Sequence, residues 1–159
     1  MSMVLTSKQI KEVEQKAVDM GLGWLRLMEN AGSAAAKEIR DKFSDKNLKI
    51  VILCGKGNNG GDGYVIARKL TENFNEIKVI AVGLPSTDSA KEMAAKAINI
   101  GINPIQFDLY QSTCLQSIAN ADVIIDAMLG IGLKGEPEGD YAIAISSINS
   151  SKAYKIAID

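Results

Sequence analysis

Ile50-Val51-Ile52-Leu53-Cys54-Gly55-Lys56-Gly57-Asn58-Asn59-Gly60-Gly61-Asp62-Gly63 decides the fold. Its first four residues form an unbroken aliphatic run, as expected of a strand buried on both faces in a parallel sheet. The next ten positions hold five glycines and open an amphipathic segment. Strand, glycine loop and helix in that order begin an α/β unit. A plain turn needs only one or two glycines, so five argue for left-handed backbone or close ligand approach, with loop N–H groups and a helix N-terminus cradling a phosphate.

Outward from this stretch the pattern repeats. Apolar runs at 77–82, 123–125 and 153–158 read as strands, and 104–107 as a short fifth. Amphipathic segments near 62–73, 89–100, 111–119 and 139–149 lie between them. Such alternation predicts a mostly parallel sheet with helices on both faces and ligands bound beyond the carboxyl ends of the strands. Two helices precede the first strand. Thr6-Ser7-Lys8-Gln9 has capping-box form, with Leu5 and Ile10 at the staple positions, and this helix should end near Gly21. Trp24, Leu25, Met28, Ala31, Ala35 and Ile39 then recur at helical spacing, and the small residues from Ala31 to Ala36 suit close packing on a sheet. Met20, Met28 and Met93 read as core.

The 159 residues fit one domain, and 47% hydrophobic content suffices for one core. Eighteen basic and nineteen acidic side chains, with no run of five like charges, argue against a nucleic-acid partner. The chain has no histidine, which excludes a His-based triad or a Cys/His zinc site. Cys54 and Cys114 are sixty residues apart and read as reduced thiols. No signal-peptide order or apolar run of about 18 residues occurs, so the expectation is a cytoplasmic protein without a membrane partner.

Gly55-x-Gly57-x-x-Gly60 matches the dinucleotide fingerprint, but Val82-Gly83-Leu84-Pro85 stands where an acidic residue would hold a ribose hydroxyl. An ordinary dehydrogenase mode of NAD binding, with a carboxylate on the ribose, is therefore disfavoured. Gly61 occupies the position a Walker A loop reserves for lysine, which excludes that loop. Asn58, Asn59 and Asp62 add amide and carboxylate oxygens that suit a cation or a sugar hydroxyl. A second loop, Asp126-Ala127-Met128-Leu129-Gly130-Ile131-Gly132-Leu133-Lys134-Gly135-Glu136, follows the fourth strand. Asp126 projects from the same sheet edge as the first loop; its alternative role is to cap the turn after the strand. Asp159 ends the last apolar run at that edge.

Leu27-Met28-Glu29-Asn30-Ala31-Gly32, Gly57-Asn58-Asn59-Gly60-Gly61-Asp62-Gly63 and Asp126-Ala127-Met128-Leu129-Gly130-Ile131-Gly132 together strongly resemble the YjeF N-terminal domain family, the NAD(P)H-hydrate epimerases. The resemblance spans essentially the whole chain. It implies a Rossmann-like three-layer sandwich that converts the S epimer of hydrated NADH or NADPH (NADHX, NADPHX) to the R epimer, which a companion NAD(P)H-hydrate dehydratase repairs. It also implies one potassium ion per subunit, with Asn59 and Asp126 as ligands, and a homodimer. Substrate-binding positions fall on Asn58, Asn59, Gly60, Gly61 and Asp62, on Gly130, Ile131, Gly132, Leu133, Lys134, Gly135 and Glu136, and on Asp159. Asp126 and Asp159 are the expected acid and base, with Lys134 and Glu136 as secondary candidates. The family's Asp-Pro-Ser-Gly block, whose serine is a further potassium ligand, would follow Asp159, so further strands and helices of the domain are expected there. Lys56 and the run from Met128 to Gly132 depart from the family's usual residues. The alternative function is a non-catalytic nucleotide- or protein-binding module on the same fold. Selection between NADHX and NADPHX is expected near the second strand, where Ser86 and Thr87 are polar.

Overall fold

The computed structural model describes residues 6–133 and 135–158. Its elements run α1 (Ser7–Asp19), α2 (Trp24–Lys42), β1 (Lys49–Gly55), α3 (Asn58–Leu70), β2 (Glu76–Val82), α4 (Asp88–Asn99), β3 (Ile105–Gln106), α5 (Gln111–Ala119), β4 (Val123–Ala127), α6 (Gly139–Ser150) and β5 (Tyr154–Ala157). The strands form one sheet in the order β3-β2-β1-β4-β5, and every described pairing is parallel.

Central position explains why β1 carries an unbroken apolar run: it pairs with β2 on one side and β4 on the other, and every residue after Lys49 is buried. Alternate residues serve two cores. Ile50, Ile52 and Cys54 join Val123 and Ile125 beneath α2, α3 and α4, whereas Val51, Leu53, Ile80 and Ile124 meet α5 and α6. The result is a Rossmann-like three-layer sandwich with helices on both faces. From β1 the chain moves outward to β2 and β3, then returns to β4 on the opposite side of β1. The loops leaving β1 and β4 therefore diverge, and their carboxyl ends form the topological switch point at which ligands of such sheets bind.

The capping box at α1 is present: Gln9 N donates to Thr6 Oγ1 at 3.3 Å and Thr6 N donates to Gln9 Oε1 at 2.8 Å. The staple partner Leu5 lies outside the described residues. No described residue of α1 is buried. Met20, expected in the core, caps this surface helix and is 88% exposed, whereas Met28 and Met93 are core residues. Trp24 and Leu25 begin α2 before it reaches the sheet and stay about two-fifths exposed. Among the described residues no helix is long and apolar enough to cross a membrane.

Helices α2 and α3 are joined by Glu29, which accepts from Arg68 and lies 3.0 Å from the Lys69 ammonium. Burial acts to raise the Glu29 pKa, but the Lys69 hydrogen bond and the nearby Arg68 charge prevail and hold it below the ordinary value. Glu29→Gln should cost about 1 kcal/mol at neutral pH, because Arg68 loses its carboxylate while its Nε is already buried without a partner. That carboxylate's contribution is present above its unfolded pKa and lost as the pH falls through the depressed folded value. Urea denaturation at pH 7 and below pH 4.5 checks both points; an equal difference at the two pH values excludes the ion pair as its cause.

Candidate functional site at the switch point

Helix α3 begins at Asn58, four residues before the periodicity predicts. Residues 58–62 are thus not a loop but the first turn and a little more of a helix. Their glycines concealed this, since glycine is a poor helix former. Gly61 N donates to Gly57 O at 3.3 Å, and the N–H groups of Asn58, Asn59 and Gly60 precede the first helical hydrogen bond. No side chain caps this end, so three N–H groups without a partner among the described residues and the positive end of the helix dipole lie at the switch point.

The glycines do not supply the left-handed backbone that is one of the two expectations for them. None of those in 55–63 has positive φ. A Cβ on Gly60 would collide with the Gly55 carbonyl, and one on Gly63 would lie 2.7 Å from Cys54 Sγ and 2.8 Å from Ala127 Cβ. Their smallness lets the N-terminal turns of α3 press against the ends of β1 and β4. Gly57 has open space around it and is where a ligand can approach the loop.

Side chains stitch the neighbouring loops to this helix. Asn59 Nδ2 donates to Leu129 O at 3.0 Å, fixing α3 to the loop after β4 and leaving the Asn59 carbonyl oxygen available. Thr87, the N-cap of α4, donates to Asn58 Oδ1 at 2.6 Å. Ser86 N and Oγ both donate to Lys56 O, at 2.8 and 2.9 Å. Tyr141 from α6 reaches across, its hydroxyl accepting from Lys56 N at 3.0 Å. Neither Ser86 nor Thr87 is the uncommitted polar residue that its sequence position suggests. No sequence signal marked Tyr141; its role depends on where α6 packs.

Asp126 lies at the end of β4, in register with Leu53 of β1 and Ala157 of β5. One carboxylate oxygen accepts from Met128 N at 3.0 Å, so the turn-capping role does exist. The other oxygen has no described partner. Partial burial raises the Asp126 pKa, opposed by the Met128 hydrogen bond. The Asp126 carbonyl also accepts from Ile158 N at 2.8 Å, which holds the end of β5 beside it.

Asp62 faces elsewhere. It lines a groove of about 790 Å³ between α2 and β5, with Ala31, Ala35, Ile156 and Ile158 among its walls. Burial, and then the charge of Glu14, raise its pKa to about 7. The motif therefore points three ways: Asn58 to α4, Asn59 to the loop after β4, and Asp62 to the groove. In the second loop Gly130 is half-buried, while Ile131, Gly132, Leu133, Gly135 and Glu136 are exposed. Gly135 has φ +81°, a conformation that favours glycine. Lys134 and Asp159 lie outside the described residues.

Known proteins share both the sequence and the fold. Residues 25–159 match the family model described as YjeF-related protein N-terminus. The chain is 37% identical to an NAD(P)H-hydrate epimerase of Elusimicrobium minutum, over 98% of this chain and 73% of that protein. It is 35% identical to a bifunctional NAD(P)H-hydrate repair enzyme Nnr of Pyrobaculum aerophilum, of whose length it spans 31%. The crystal structure of yeast ynu0 superposes with a TM-score of 0.82 at 21% identity, over 99% of this chain and 70% of that one, showing the same fold. The chain belongs to the YjeF-related protein N-terminus family.

Proposed function

We propose that the chain epimerises hydrated NADH and NADPH, converting the S to the R form. The observation that carries this reading is the junction at the switch point. Asn59 and the close-packed glycines hold the open N-terminus of α3 against the β4 loop, next to the half-buried Asp126. An anion-binding helix end beside a carboxylate suits a substrate that carries a diphosphate and a reactive hydroxyl. The similarity to the NAD(P)H-hydrate epimerase of Elusimicrobium minutum supports it.

The substrate, the hydrate of a dihydropyridine, bears its hydroxyl on the carbon beside the tetrahydropyridine nitrogen. A carboxylic acid gives its proton to that oxygen, the C–O bond breaks with help from the nitrogen lone pair, and water leaves. Water then adds to the opposite face of the resulting cation and returns a proton to a carboxylate, so no redox change occurs. Asp126 takes one of these roles and Asp159 the other. The N–H groups of Asn58, Asn59 and Gly60 hold the diphosphate, and residues 130–133, 135 and 136 form the opposing wall.

The free oxygens of Asn59 and Asp126 suit a weakly charged oxygen-seeking cation, so these residues would hold potassium, which supplies positive charge near the diphosphate. The protein acts in the cytoplasm as a homodimer, alongside an NAD(P)H-hydrate dehydratase.

Proton NMR of prepared S and R hydrates tests the reading. In potassium buffer the protein should speed exchange between epimers well above background, and less so in lithium buffer of equal ionic strength. Background exchange with folded protein in both buffers refutes it.

A further inference from the structure

We propose that Lys56 selects for a phosphate on the adenosine ribose, so that the site prefers NADPHX to NADHX; this rests on the epimerase reading above. Lys56 stands between β1 and α3, immediately before the N-cap Gly57. Its main chain is held from both sides, by Ser86 of the loop after β2 and by Tyr141 of α6. Its side chain is exposed and forms no ion pair among the described residues. Its Cβ faces the end of β2, 3.6 Å from where a Cβ on Gly83 would stand.

In a sheet of this strand order the end of β2 is where the adenosine ribose of a dinucleotide rests. A carboxylate at that point accepts from the ribose 2′-hydroxyl and repels a 2′-phosphate. This chain offers Val82-Gly83-Leu84-Pro85-Ser86-Thr87 instead, with no acid before Asp88. Asp88 begins α4 fully exposed and pairs with Lys91 at 3.7 Å. The Ser86 and Thr87 hydroxyls already donate, to Lys56 O and Asn58 Oδ1. What remains to read the ribose is an ammonium on a fixed backbone, one step from the N–H groups that take the diphosphate. A lysine there attracts a phosphate dianion and gains little from a bare hydroxyl.

Calorimetric titration with 2′,5′-ADP and 5′-AMP, on the native chain and on Lys56→Ala, Lys56→Arg and Lys56→Glu, tests this. Native protein should bind 2′,5′-ADP about five- to tenfold tighter than 5′-AMP, an exposed charge pair giving no more. The ratio should approach one in Lys56→Ala, persist in Lys56→Arg and invert in Lys56→Glu. It should shrink with added salt. Because the hydrogen bonds of Lys56 are made by its backbone, thermal midpoints should stay together. The kcat/KM ratio of NADPHX to NADHX should move in the same order. Both probes binding with a ratio that Lys56→Ala leaves unchanged overturns the selectivity and spares the epimerase reading; neither probe binding overturns both.

Discussion

Asp126→Asn should slow epimerisation by at least about a hundredfold while the protein stays folded, since loss of a general acid or base typically costs that much. The substitution is informative because Asp126 has two separable duties. One carboxylate oxygen accepts from Met128 N and shapes the turn after β4. Asparagine retains that acceptor. The other oxygen has no partner among the described residues, and only an ionisable group there can exchange a proton or offer a full charge. Asp126→Ala removes both duties and should add about 1 kcal/mol of destabilisation for the lost turn hydrogen bond. Partial burial raises the Asp126 pKa, so it can hold a proton at a higher pH than an ordinary aspartate. Rates by NMR with thermal midpoints on the same samples separate the duties. If Asp126→Asn keeps native rates, the carboxylate serves only the turn.

The fold was legible because central strands of a parallel sheet must be apolar on both faces. The runs at 50–53 and 123–125 are therefore continuous, and that at 77–82 is broken only by the exposed Lys78; all three lie in strands. The short edge strand at Ile105–Gln106 has little such signal and was legible mainly from its place in the alternation. The start of α3 was misplaced, because Gly60, Gly61 and Gly63 look like loop residues until the backbones they meet are known. Packing between elements distant in the chain decides their role. The same holds for Tyr141, which is 85 residues from Lys56 in sequence yet hydrogen-bonded to it. Met20 erred in the opposite direction: its side chain is apolar, but α1 lies on the surface. That Asp126 and Asn59 belong to one junction followed from both ending or following central strands. That Asp62 turns away from Asn58 did not follow, because the direction of a helical side chain depends on where the helix begins.

Asp62→Asn should make the protein more stable above neutral pH, with a gain that fades on acidification. Asp62 sits among Ala31, Ala35, Ile156 and Ile158, and among the described residues no cation pairs with it. The two lysines of that groove are occupied elsewhere: Lys42 lies over the Tyr154 ring at 4.7 Å, and Lys155 donates to Ser151 O and Ala153 O. Glu38 and Asp41 on α2, and Glu14 on α1, add only negative charge. Burial and then Glu14 accordingly raise the pKa from 3.8 to about 7. The folded protein thus keeps a proton that the unfolded chain releases between those values. Stability from this group is full below pH 3.8 and is lost as the pH rises through about 7. A shift of this size corresponds to about 4 kcal/mol at most, and to about 2 kcal/mol once the water that reaches the carboxylate is allowed for. The amide that replaces the carboxylate cannot ionise, so at pH 8 the variant should melt about 4 to 8 °C higher, and the two melting curves should draw together as the pH falls to the ordinary value of 3.8. A difference that does not change with pH shows that ionisation of Asp62 is not its cause. The same variant separates folding from function. A slower epimerase with a higher melting point means that the carboxylate is kept, against stability, for the substrate, whereas a stabler and equally fast one removes Asp62 from the site.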